Sequence, residues 1–125
     1  MTTVPRISRE ELKRRLDDRA GAPPPLIDVR LKYPYEHSTI TLPGALRMGP
    51  DDPEVANLPR DRDIILYDSD PDELVAERAA ARLIGRGYRA SVLQGGIGAW
   101  AAAKFPTDTK PAPQLAVPVT AAPKR

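Results

Sequence analysis

Short apolar runs that end abruptly at a polar or glycine-rich turn, each followed by a helix-period segment, limit this chain to a small set of folds. The clearest is Ile64-Ile65-Leu66-Tyr67, which stops at Asp68 and leads through Ser69-Asp70-Pro71-Asp72-Glu73 into a helical pattern. Leu26-Ile27-Asp28-Val29 and Ser91-Val92-Leu93 are two further strands of the same kind, and Leu46 to Met48 is a fourth. Continuous apolar strands need both faces covered, and strands alternating with helices pair in parallel through right-handed crossovers. The carboxyl end of such a strand is where open α/β sheets keep reactive groups, so Asp68 stands at the position that matters most.

The helices are legible from their ends. Ser8-Arg9-Glu10-Glu11 before Leu12 is a capping box, with Ser8 as N-cap, Glu11 at N3 and Ile7 stapled against Leu12. Gly21 and Pro23 to Pro25 close that helix. A second helix is expected from Pro71 to about Arg86, with Val75, Ala76, Ala79, Ala80, Leu83 and Ile84 at helical spacing and Gly87 as the left-handed stop. In that register Asp70 is the N-cap, Pro71 is N1, Asp72 is N2 and Glu73 is N3. Residues 30 to 44 read as irregular up to the turn Leu42-Pro43-Gly44-Ala45, and Asp51 to Val55 as the start of a short helix. Gly95-Gly96 opens a last helix carrying Trp100, the glycines allowing close backbone approach and the indole anchoring against the sheet.

At 125 residues the chain fits one domain, read as residues 1–105. Residues 106–125 hold Pro106, Pro111, Pro113, Pro118 and Pro123, a composition that predicts a disordered or polyproline-like tail. Nineteen Lys and Arg against 17 Asp and Glu leave a net charge of +2, too small to argue for nucleic acid. The N-terminus lacks a charged segment followed by an apolar run, and no stretch approaches the 18 apolar residues of a membrane span, so a cytoplasmic protein is expected.

Cysteine is absent. Disulfides, thiolate nucleophiles, persulfides and Cys-based zinc sites are therefore excluded. His37, the only histidine, has no soft partner for a zinc site and reads as an ordinary loop residue. Asp68-Ser69-Asp70-Pro71-Asp72 opens like a calcium loop, but Glu73 stands where glycine is needed and Ala79 where the bidentate glutamate belongs. Mg2+ or Ca2+ held by the hard oxygens of Asp68, Asp70 and Asp72 is the alternative to the capping arrangement, and no metal or other cofactor is expected.

Four pieces in order resemble the rhodanese-like domain family over roughly residues 5 to 105: Leu26-Ile27-Asp28-Val29-Arg30, similar to a strand ending in Asp-x-Arg; Tyr35-Glu36 with Leu42-Pro43-Gly44-Ala45; Ile64 to Tyr67 entering the active loop; and Gly95-Gly96-Ile97-Gly98-Ala99-Trp100, similar to Gly-Gly-x-x-x-Trp. The resemblance implies an α/β fold with a central parallel sheet of about five strands flanked by helices on both faces. It also implies that Asp28 and Arg30 brace the loop, an ion pair worth about 0 to 1 kcal/mol if exposed. In that family a cysteine directly after the central strand carries sulfane sulfur as a persulfide, and Asp68 occupies its place.

A carboxylate cannot become a persulfide, so the expected role is a non-catalytic, protein-binding or regulatory module. The loop agrees, since four of its six residues, Asp68, Asp70, Asp72 and Glu73, are acidic. The competing expectation is magnesium-dependent phosphoryl chemistry on Asp68, because a strand ending in Asp68-Ser69-Asp70 is similar to the first motif of haloacid-dehalogenase-type phosphatases. Those enzymes need a later lysine, and none occurs between Asp70 and Lys104. Arg78, Arg82 and Arg86, at i, i+4 and i+8, form a basic helix face that complements the helix macrodipole and would suit an acidic partner protein.

Overall fold

The computed structural model describes residues 4–18, 21–48, 58–70 and 72–110. In chain order the elements are β1 (Arg6–Ile7), α1 (Arg9–Asp17), β2 (Leu26–Asp28), α2 (Lys32–Glu36), β3 (Ile40–Thr41), β4 (Leu46–Arg47), β5 (Asp63–Tyr67), α3 (Leu74–Gly85), β6 (Arg89–Leu93), α4 (Gly96–Ala102) and β7 (Asp108–Thr109). Five strands form one sheet in the order β1-β6-β5-β2-β4, every neighbour parallel. The expected α/β architecture is the observed one.

The apolar run of β5 divides by period two. Ile64 and Leu66 pack with Ala76, Ala79, Ala80 and Leu83 of α3, while Ile65 and Tyr67 pack with Leu12 of α1 and Ile97 and Trp100 of α4. Helices on both sides of the sheet therefore explain why the run shows no polar alternation. Ser8 caps α1 by accepting from the Glu11 amide at 3.1 Å, and Ile7 and Leu12 meet in one cluster. The Glu11 carboxylate itself engages Arg14 and Arg15. α3 ends as expected: Gly87 has φ +94°, and the Tyr88 amide donates to Leu83 and the Gly87 amide to Ile84, both at 3.0 Å, which satisfies two carbonyls of the last turn.

Three expectations change. Residues 30 to 44 contain α2 and β3, elements of five and two residues that are too short to show a period. The helix expected from Pro71 begins instead at Leu74; Pro71 lies outside the described residues. The fold also runs past residue 105. β7 pairs antiparallel with β3, Ile40 opposite Thr109 and Thr41 opposite Asp108, and the Trp100 indole N–H donates to the Pro106 carbonyl at 2.7 Å. A buried indole needs an acceptor, and the chain after α4 supplies it. Residues 111–125 of the expected tail and the expected helix at Asp51 to Val55 lie outside the described residues. Among the described residues no helix is long and apolar enough to cross a membrane.

Candidate functional site

Parallel pairing places Asp28 beside Tyr67 at the carboxyl ends of β2 and β5, with Asp68 next along the chain. Asp68 is 1% exposed. One carboxylate oxygen accepts from the Ala76 amide at 2.7 Å and the other from the Asp70 amide at 3.1 Å. Ala76 is the third residue of α3, so Asp68 caps the helix across the whole loop, from the end of the strand. The Ile97 amide donates to the Asp68 carbonyl at 2.9 Å. A Cβ at Gly96 would overlap that same carbonyl oxygen, which is why glycine, here at φ +64°, stands there. Burial pushes the Asp68 pKa up, the two amides pull it down, and the charges of Asp70 and Glu73 add to the rise.

This geometry corrects the capping register. Asp70 does not cap α3; it accepts from the Asp72 amide at 2.9 Å and folds the loop on itself. Glu73 is the boundary residue, in the left-handed region at φ +58° and ψ +27°, and its side chain does not cap. Glu73 instead accepts from the Gly95 amide at 3.0 Å and from Arg6 Nε at 2.9 Å, tying the loop to β1 and to the start of α4. Arg6 also reaches Glu77 at 3.3 Å. Local preferences at residues 70–73 favoured an earlier start, but the Asp68 carboxylate satisfies the first-turn amide and sets the boundary.

Of the loop's acidic residues, then, Asp68 turns inward and Glu73 is paired, while Asp70 is half-buried and Asp72 is exposed, as is the neighbouring Ser69. Among the described residues no three His, Cys, Asp or Glu side chains are placed to hold a metal ion. Two cavities, of about 320 and about 430 Å3, lie toward the amino ends of β5, β6 and β2, and neither is lined by residues 68–73.

Asp28 and Arg30 are each 1% exposed, so the pair is a buried one and the value for an exposed pair does not apply to it. Arg30 meets Asp28 in a fork, Nε to Oδ1 at 3.0 Å and a terminal nitrogen to Oδ2 at 2.7 Å, and also donates to the Ile40 carbonyl at 3.1 Å. The Tyr67 hydroxyl donates to Asp28 Oδ2 at 3.0 Å and accepts from the Leu42 amide at 3.2 Å. Burial first, then the Asp28 charge, push the Tyr67 phenol well above its ordinary range. Arg47 joins them, 3.6 Å from Asp28 Oδ1 and donating to the Arg30 carbonyl at 2.6 Å; Tyr67 and Arg47 were missed as parts of this network. A tyrosine closing a buried apolar run was the available signal, since its hydroxyl must find a partner.

Arg78, Arg82 and Arg86 are all exposed, on the side of α3 away from its buried alanines. His37 is exposed and meets the Tyr33 ring edge-on, centroids 6.4 Å apart.

The rhodanese-like domain family model matches residues 8–103. A Bacillus halodurans protein of known structure superimposes with a TM-score of 0.73 at 19% identity, covering 84% of this chain and 77% of its own. A rhodanese-like domain protein from Staphylococcus aureus gives 0.65 at 22% identity, over 78% of this chain and 91% of its own. The rhodanese-like domain of an Anabaena protein gives 0.67 at 25% identity, over 98% of this chain and 91% of its own. No curated protein matches the chain at a significant level. With the five-stranded parallel sheet, its two helical layers and a family match over most of its length, this chain belongs to the rhodanese-like domain family.

Proposed function

We propose that this rhodanese-like domain is non-catalytic and serves as a protein-binding or regulatory module. One observation carries the reading: Asp68, at the position where the family resemblance puts the sulfur-carrying cysteine, fills its own loop with a carboxylate bound by the Ala76 and Asp70 amides. The amides that would face a persulfide are spent on the Asp68 carboxylate, and the chain has no thiol at any position.

Electrostatics supports the same reading. An anionic donor entering beside Asp68, Asp70 and Glu73 meets repulsion of about 4 kcal/mol for one charge pair at about 4 Å and an effective dielectric near 20. A helix end offsets about 0.3 to 1 kcal/mol of this. Phosphoryl transfer finds no support: an attacking carboxylate needs room to reach phosphorus, whereas Asp68 is 1% exposed and held inward by the Ala76 and Asp70 amides.

The test is incubation of the full chain with thiosulfate and cyanide. No thiocyanate above buffer is expected, and steady turnover would overturn the reading. Magnesium should leave the melting temperature unchanged, since a ligand that binds only the folded state raises it by mass action.

A further inference from the structure

The larger of the two cavities, about 430 Å3, lies between the end of α1, the prolines before β2 and the chain after α4. Buried Leu26 and Trp100 line it together with half-buried Leu16, Pro25 and Pro43 and exposed Pro106. Among the described residues its charged lining is Lys13 and Asp17, which pair with each other. A charged occupant would therefore bury its charge without a partner, whereas an uncharged apolar one meets no such cost. Apolar grooves of this kind suit proline-rich segments, whose extended helix is formed before binding and loses little freedom on docking.

The chain itself supplies such a segment. Residues 111–123 run for 13 positions without a charged side chain, carrying Pro111, Pro113, Pro118 and Pro123 with the apolar run Leu115-Ala116-Val117-Pro118-Val119 among them. Their root is close to the cavity. Pro106 lines it and is held by the Trp100 indole, while Lys110, four residues on, is pinned by its amide to the Thr39 carbonyl at 2.8 Å and by its ammonium to the Tyr35 carbonyl. Four residues span at most about 14 Å. A segment returning from Lys110 at about 3.1 Å per residue covers that distance in about five residues, which brings Leu115 to Val119 level with Pro106. The tether keeps the segment at an effective concentration on the order of mM, so weak docking is enough to fill the cavity.

We infer that this cavity is the docking site of the chain's own C-terminal segment, with Leu115 to Val119 seated against Leu16, Pro43 and Pro106. The docking is independent of Asp68, whose loop does not line the cavity. A proline-rich segment of another protein reaches the same site only by displacing the tail.

The experiment places a nitroxide on the isotope-labelled full chain through Ala116→Cys, a single attachment point because the chain has no other thiol. Paramagnetic broadening is expected at the Leu16, Leu26 and Gly44 amides and at the one indole N–H, that of Trp100. Leu115→Asp with Val117→Asp in the same labelled chain should remove that broadening, since two carboxylates would have to enter an apolar site. Both substitutions lie outside the described fold, so the amide spectrum of residues 4–110 should otherwise keep its dispersion. Broadening confined to residues around the root at Lys110 and Thr39, or broadening of the cavity amides that survives the double substitution, would overturn the inference. Mixing a nitroxide-bearing chain with a separate isotope-labelled one should broaden nothing; broadening of the cavity amides in that mixture would give the site to the tail of a second copy and would overturn docking within one chain.

Discussion

The Asp68 carboxylate accepts a hydrogen bond from the Ala76 amide at 2.7 Å, across eight residues of chain. This bond joins the end of the central strand to the first turn of the helix that covers it, and it closes the loop between them around a built-in negative charge. A helix is more often capped by the residue that precedes it. Here the formal boundary residue, Glu73, is turned toward Arg6 and Gly95 instead.

Asp68→Ala should destabilise the domain by about 1 to 3 kcal/mol, because the buried Ala76 amide is left without an acceptor. Asp68→Asn keeps a carbonyl for that amide and should recover most of the loss. Urea unfolding of the three proteins checks both; an Ala variant as stable as the parent would show that the cap contributes nothing.

Burial lifts the Asp68 pKa above its ordinary value of 3.8, so the folded state holds this proton more tightly than the unfolded chain does. Its contribution to stability is fully present below the unfolded pKa and is lost as pH rises through the raised folded value. Asn at position 68 cannot titrate. The stability of the parent relative to Asp68→Asn should therefore fall as pH is raised from about 3 to about 7, and a difference that rises over that range would contradict the direction of the shift.

Asp68→Cys restores a sulfur atom but not a sulfurtransferase. The Asp70 and Glu73 charges that raise the Asp68 pKa would raise a thiol placed there and leave less thiolate. Thiocyanate production by the single variant should stay close to buffer. Adding Asp70→Asn, which keeps an oxygen for the Asp72 amide, should increase it; full activity from the cysteine alone would mean that the local field is weaker than its geometry suggests.

Arg30→Ala should cost about 3 to 5 kcal/mol, the range for breaking a buried ion pair and leaving one charge without its partner. The Asp28 carboxylate would keep the backbone amide of residue 30 at 3.1 Å, the Tyr67 hydroxyl at 3.0 Å and Arg47 at 3.6 Å, but lose the guanidinium fork. Denaturant unfolding of Arg30→Ala, Asp28→Ala and the double variant measures the coupling. A loss below about 1 kcal/mol for Arg30→Ala would return this pair to the class of exposed surface bridges.

Legibility in the sequence followed the range of the interactions. The Ser8 cap, the Gly87 stop, the β5 run and the close approach at Gly96 were all readable, because each depends on a residue type and its immediate neighbours. The α3 boundary was not: Asp70, Asp72 and Glu73 favour an earlier start, and the acceptor that fixed the first turn comes from the end of β5. Asp28 and Arg30 were legible as a pair but their burial was not, since only the packing of β2, β3, β4 and Tyr67 around them removes the water.

By itself the amino-acid order determined the fold class, the identity of the atom at position 68 and the absence of any thiol. Those depend on composition and local period, which a linear string carries. Only the tertiary structure decided that the Asp68 carboxylate faces inward, that Glu73 is spent on Arg6 and Gly95, and that Lys110 returns to join Arg47 at Tyr35. Each of those contacts closes between groups far apart in the chain, where direction and burial follow from the packing of whole elements rather than from any residue's own preference.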